Sequence, residues 1–200
     1  MANRCQIIHV VVSVYLFYCV HGQVTTRGAC PTVSVKTDFE IAKFLGLWYE
    51  IERFQSGVQS DLKCSTVTYW SNKDDVIGVT NNGTFTKNDK LTSTEGYAWI
   101  PDPKVPAKLK IKFKWWVPAT NYWVLRTDYD TYSVVYSCND YLFGFFKVES
   151  AWVLSRGRIL NDDTLTDICN DLNDRGIDIG NFQPTDQTGC DDTLKYKPVD

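Results

Sequence analysis

Between Lys108 and Trp115 every second residue is a lysine. Lys108, Lys110, Lys112 and Lys114 alternate with Leu109, Ile111, Phe113 and Trp115, so one face is cationic and the other apolar. Only a strand buried on one side explains that pattern well. Seven other extended runs surround it: Leu47–Phe54, Cys64–Trp70, Val76–Thr80, Leu91–Ile100, Tyr122–Arg126, Thr131–Cys138 and Lys147–Leu154. In the first, Glu50 and Glu52 open a period of two. Turn-forming residues separate the runs, at 72–75, at Asn81-Asn82-Gly83, at the prolines 101, 103 and 106, and at 127–130. No helical period interrupts this series.

Helical spacing appears only at its margins. Residues 37–45 read as one turn before the first strand. After the last strand, Leu165, Ile168, Cys169 and Leu172 form one apolar stripe, with Asp163 or a neighbour as cap and Gly176 as stop. Eight short antiparallel strands in a meander bury their apolar faces by closing into a barrel, which also removes their edges. The fold class is therefore all-β, an eight-stranded up-and-down barrel with one C-terminal helix outside it. Periodicity alone leaves a two-sheet sandwich open.

Composition narrows the chemistry. Ile7–Val20 is an apolar run behind Arg4, ending in Val20-His21-Gly22, which predicts a signal peptide over residues 1–22. The run is shorter than the roughly 20 apolar residues of a spanning helix. The expected product is a secreted domain over 23–190, with a loose charged tail over 191–200. Both histidines, His9 and His21, leave with the signal, as does Arg4, so 20 basic residues face 24 acidic ones. A net charge of −4 without a basic block argues against nucleic acid as a partner. Without histidine there is no Ser-His or Cys-His dyad and no His-ligated zinc. The adjacent pairs Asp74/Asp75, Asp162/Asp163 and Asp191/Asp192 read as solvated caps. No enzyme, metal or cofactor is expected.

Five cysteines remain after residue 22: Cys30, Cys64, Cys138, Cys169 and Cys190. An oxidising compartment favours disulfides, with the pairing left open by spacing alone. Asn82-Gly83-Thr84 is a glycosylation sequon, expected in a turn at Asn82.

Three segments, Gly46-Leu47-Trp48-Tyr49-Glu50, Thr127-Asp128-Tyr129 and Trp152-Val153-Leu154-Ser155-Arg156, resemble the three motifs of the lipocalin family in order and separation. Pro106-Ala107-Lys108-Leu109, Tyr122-Trp123-Val124-Leu125 and Val135-Tyr136-Ser137-Cys138 extend the likeness to the apolipoprotein D-like branch, near insect bilin-binding proteins and crustacyanins. The resemblance implies a barrel rather than a sandwich, with Trp48 stacked on Arg156 at its closed end. Gly46, Thr127, Asp128 and Tyr129 would have structural roles beside that pair. It also implies Cys30–Cys138 and Cys64–Cys190 bridges, leaving Cys169 as a buried thiol or an intermolecular handle. Crustacyanins carry a third bridge from this helix, but the partner position here is Val134.

On function, the resemblance implies a secreted carrier of a small hydrophobic ligand, a fatty acid, steroid, retinoid or similar lipid. Tyr69, Phe113, Tyr122 and Trp152 match positions lining that branch's pocket. The alternative is a bilin- or carotenoid-binding colour-protein subunit or a membrane-docking interaction protein. In a meander alternate connections share one end, so Trp116-Val117-Pro118 and residues 141–146 should meet at the open mouth. Such an apolar rim either lids the pocket or contacts a membrane or lipoprotein surface.

Overall fold

The computed structural model describes residues 24–54, 61–71 and 76–191. The expected signal peptide, the turn at 72–75 and the tail beyond Asp191 lie outside those residues. Eight strands make the barrel: β2 (Gly46–Phe54), β3 (Leu62–Ser71), β4 (Ile77–Phe85), β5 (Leu91–Trp99), β6 (Lys108–Lys112), β7 (Thr120–Thr127), β8 (Tyr132–Tyr141) and β9 (Phe146–Ser155). Each pairs antiparallel with its sequence neighbour, and β2 pairs with β9 to close the wall. Two short strands are added outside the predicted set. β1 (Val24–Arg27) lies along β9, and β10 (Phe182–Pro184) lies along β2. Strands of four and three residues are too short to show a period.

The first half of β2 pairs with β3, from Gly46↔Tyr69 to Tyr49↔Thr66. Beyond that the two strands part, and the segment after β10 enters the gap. The Thr185 N–H donates to Ile51 O at 2.8 Å, and the Cys64 N–H to Asp186 O at 2.8 Å. Gln187 Nε2 donates to both Glu50 O at 2.9 Å and Ser65 O at 2.8 Å. The Cys64–Cys190 disulfide fastens this segment, and Cys30–Cys138 fastens the start of the chain to β8. Cys169 is free.

Two apolar layers result. Inside the barrel are Trp48, Val67, Tyr69, Val79, Leu109, Ile111, Val124 and Leu154. Outside it, α2 (Asp162–Asp174) sets Ile168 and Leu172 against Val134, Tyr136 and Val153. The helix is capped by Asn161, whose Oδ1 accepts the Asp163 N–H at 2.8 Å, so Asp162 and Asp163 fall in the first turn instead of at the cap. Carboxylates there favour the positive end of the helix. Gly176 ends it with φ +75°.

Three local expectations fail for stated reasons. Asn81-Asn82-Gly83 is not a turn: β4 runs on to Phe85, with these residues opposite Thr94, Ser93 and Thr92 of β5. Ladders on both sides outweigh local Asn-Gly preference, and the turn falls at 86–90, where Asp89 takes φ +52°. The sequon residue Asn82 therefore sits mid-strand and half-buried. Trp115 does not face inward. The last β6–β7 pair is Ile111↔Thr120, and Pro118 has no N–H to continue the ladder. Trp115 is 84% exposed as a result. Finally, Glu50 and Glu52 do not share a face, because a bulge between them turns Glu52 outward and brings Arg53 inward beside Glu50.

The closed end is built around Arg156. Its guanidinium lies 3.7 Å from the Trp48 ring centroid. It also donates to four carbonyls, Tyr129 O, Leu47 O, Lys43 O and Leu45 O, at 2.8 to 3.1 Å. These join the β8 turn to β2 and to α1 (Ile41–Phe44), the predicted helical turn. Gly46 takes φ +99°, and a Cβ there would stand 3.3 Å from Arg156 Nη1. Glycine therefore meets both a backbone and a space requirement. Trp48 Nε1 donates to Phe44 O at 2.8 Å, which satisfies the buried indole.

Candidate ligand-binding site

The inner wall follows from register, since paired residues on neighbouring strands share a face. Trp48 and Val67 pair near the floor, then Tyr69 and Val79, then Val79 and Gly96. Val79, Val124 and Val135 have no exposed surface, so the lower interior is filled. Toward the mouth the same face carries Asn81, Thr94, Phe113 and Trp152, all part-exposed or exposed. Inward-facing residues that retain solvent contact describe a cup: solid below, open above.

Of the four predicted binding residues, three come together. The Tyr69 and Tyr122 hydroxyls share a hydrogen bond, and the Tyr122 and Trp152 ring centroids are 5.8 Å apart. Below them Phe44 meets Tyr69 at 4.9 Å, so a continuous aromatic column runs from the floor to the open half. Phe113 stands apart, just past the end of β6. Its ring crosses the backbone of β5, where a Cβ on Gly96 would lie only 2.6 Å from Phe113 Cδ1. With Ala98 also on β5, one wall is small and the facing one aromatic.

Burial pushes the Tyr69 phenol well above its usual range, and burial likewise raises Tyr122. Both hydroxyls are neutral at physiological pH. Together they have two protons and one mutual hydrogen bond, which leaves a donor facing the interior. Such a column offers apolar area with one polar handle.

A polar group on the same inner wall escaped the sequence pattern. Glu50 and Arg53 form a buried ion pair. Arg53 also reaches Ser65 Oγ at 3.4 Å and Thr185 Oγ1 at 3.3 Å, and Thr185 donates to Glu50 Oε1 at 2.7 Å. Arg53 pairs with Trp152 across β2 and β9, so this network borders the aromatic column. The bulge hid it: period two from Trp48 sets Glu50 and Glu52 on one face and Arg53 on the other. Among the described residues, no group of three or more His, Cys, Asp or Glu side chains could hold a metal.

The motif residues lie away from this cup, at the closed end. Thr127 Oγ1 accepts the Tyr129 N–H at 2.9 Å and donates to Tyr132 O at 2.7 Å. Asp128 accepts N–H groups from Asp130, Thr131 and Tyr132 at 2.8 to 3.2 Å, and the Thr131 hydroxyl. Burial alone would raise the Asp128 carboxyl, but those donors hold it below its usual range. On the outer helix, burial and then the Glu52 carboxylate push the Cys169 thiol up, leaving it a poor nucleophile near neutral pH.

Residues 39–187 match the family model described as a lipocalin-like domain. Apolipoprotein D of Mus musculus is 34% identical over 179 residues, covering 90% of this chain and 93% of that protein. Among solved structures, insecticyanin of the tobacco hornworm Manduca sexta superposes with a TM-score of 0.71 at 28% identity, covering 84% of this chain and 91% of its own. Lobster apocrustacyanin A1 superposes at 0.70 and 23% identity, covering 82% and 92%, a likeness of fold.

Proposed function

The chain belongs to the lipocalin family, in its apolipoprotein D-like branch, and on that basis we propose that it is a secreted carrier of a small hydrophobic ligand held inside the barrel. It is a binding protein and not an enzyme. The open upper half of the interior, lined by Trp152 and Phe113 above the Tyr69–Tyr122 pair, carries this reading. A ligand entering it gains about 25 cal/mol per Å² of apolar area removed from water, before the costs of association. The unspent tyrosyl donor suits an oxygen acceptor at the ligand's inner end. Fatty acids, steroids and retinoids meet both conditions. Secretion rests on the residue 1–22 signal and on the disulfides, and Asn82 is a candidate glycan site on the barrel wall.

Titration of the purified protein with a fatty acid, a steroid, a retinoid, a bilin and a carotenoid tests the reading. One of the first three should quench tryptophan emission with one site per chain. Trp152→Ala should weaken that ligand by about 1–3 kcal/mol through lost apolar contact. Emission unchanged by the whole panel would sink the carrier reading. A response to the bilin or carotenoid alone favours the pigment-binding alternative.

A further inference from the structure

Three connections of the described chain meet at the open mouth: 86–90, 113–119 and 142–145. The last two are neighbours around the rim, because β6 to β9 are consecutive in the wall. Their large apolar side chains do not fold inward as a lid. Trp115, Trp116, Leu142, Phe143, Phe145 and Phe146 are all exposed, Phe143 completely. A soluble surface rarely gathers so many on one edge.

The backbone holds them outward at a cost. Leu142 and Phe143 take φ of +49° and +59°, followed by Gly144 at +84°. Bulky residues avoid that region, and a conformation of this kind persists only where its surroundings enforce it. Here the enforcement is local. Gly28 N–H donates to Phe145 O at 3.0 Å, and Cys30 N–H donates to Asp140 Oδ1 at 2.7 Å beside the Cys30–Cys138 bridge.

Charge supplies the second observation. The chain is acidic as a whole, yet the same three connections carry Lys87, Lys90 and Lys114 against Asp89 alone. Asp89 is already engaged by Lys63 at 2.8 Å. Lys114 Nζ lies 5.3 Å from the Trp116 ring centroid, so cation and indole are presented together. Lys112 continues the row down the outer wall. The closed-end turn, by contrast, carries Asp128 and Asp130.

From this pairing we propose that the open rim docks on anionic lipid bilayers, with the Trp115-Trp116 and 142–146 side chains entering the headgroup boundary and Lys87, Lys90, Lys112 and Lys114 meeting the lipid charges. Aromatic rings favour that boundary, and each lysine held near an anionic surface strengthens binding about fivefold at low salt. Docked in this way, the mouth opens onto the membrane.

Flotation with phosphatidylcholine vesicles, with and without phosphatidylserine, tests the proposal. The wild type should float with the phosphatidylserine vesicles and far less with phosphatidylcholine alone. Lys87→Gln/Lys90→Gln/Lys114→Gln should lose that preference by roughly two orders of magnitude at low salt. Leu142→Asp/Phe145→Asp should lose binding to both. Ligand quenching measured on the same proteins reads the carrier reading separately, and unchanged thermal midpoints confirm folding. Flotation of the wild type equal on both vesicles, or absent, overturns the proposal. So does a dimer in light scattering that Leu142→Asp/Phe145→Asp dissolves without any lipid binding, which would assign the rim to a second copy.

Discussion

The two ends of the barrel use the same kinds of residue in opposite ways. At the closed end an arginine and a tryptophan face each other within 4 Å, and every polar arm of Arg156 meets a carbonyl. At the open end lysine and tryptophan again lie together, but the ring and the cation both point to water. One arrangement is spent on the chain itself and the other is left for something else. Contacts that satisfy one another stabilise a fold, whereas exposed aromatic and cationic groups mark a place of meeting.

If that contrast holds, substitutions at the two ends should separate stability from binding. The largest effect is expected for Arg156→Ala, which leaves Trp48 without its cation and several carbonyls without donors. Urea unfolding should show a loss on the order of 3 kcal/mol, a large part of a typical domain's stability. A loss under about 0.5 kcal/mol would remove the distinction between the ends.

Asp128→Asn should cost less, on the order of 1 kcal/mol at neutral pH, because the amide keeps an acceptor and loses the charge. The sign with pH follows from the depressed carboxyl. Its stabilising contribution is complete above the unfolded value, near about 3.9, and is lost as pH falls through the lower folded value. Denaturation of both proteins between neutral pH and acid should show their stability gap closing below about pH 4. A gap that widens instead would contradict the hydrogen-bond assignment.

The smallest effect belongs to the rim. Phe143→Ser removes a fully exposed ring and should shift stability by no more than about 0.5 kcal/mol, or raise it slightly if serine relaxes the backbone. A loss above about 2 kcal/mol would mean that the loop supports the barrel after all.

The closed end was also the more legible end. Gly46, Trp48, Thr127, Asp128 and Arg156, named through their resemblance to the lipocalin motifs, serve one another in the structure, so the motif spacing marks one cluster. The strand order was legible for a similar reason: each strand needs an apolar inner face, and the Lys108–Lys114 alternation records it. Legibility failed where tertiary pairing overruled a local preference. Asn82-Gly83 has turn chemistry and lies in a strand, because neighbours on both sides continue the ladder. Trp115 keeps the alternation and leaves the wall, because the β6–β7 ladder ends at Ile111↔Thr120 and Pro118 cannot extend it. In the site, the aromatic column came from matched positions, whereas Glu50 and Arg53 were hidden by a single bulged residue that no periodicity records.

The segment after β10 has a consequence for how the molecule comes into being. A chain leaves the ribosome from its N-terminus, so β2 emerges early and then waits. Its partner β9 follows about a hundred residues later, and the residues that fill the gap beside β3 come later still. Pairings this distant in sequence are slow to form, and until they form both strand edges stand open to other chains. The Cys64–Cys190 bridge, spanning 126 positions, can close only after nearly the whole domain has emerged. A chain arrested before Phe182 would already contain Tyr69, Phe113, Tyr122 and Trp152, and would still lack the last piece of wall that encloses them.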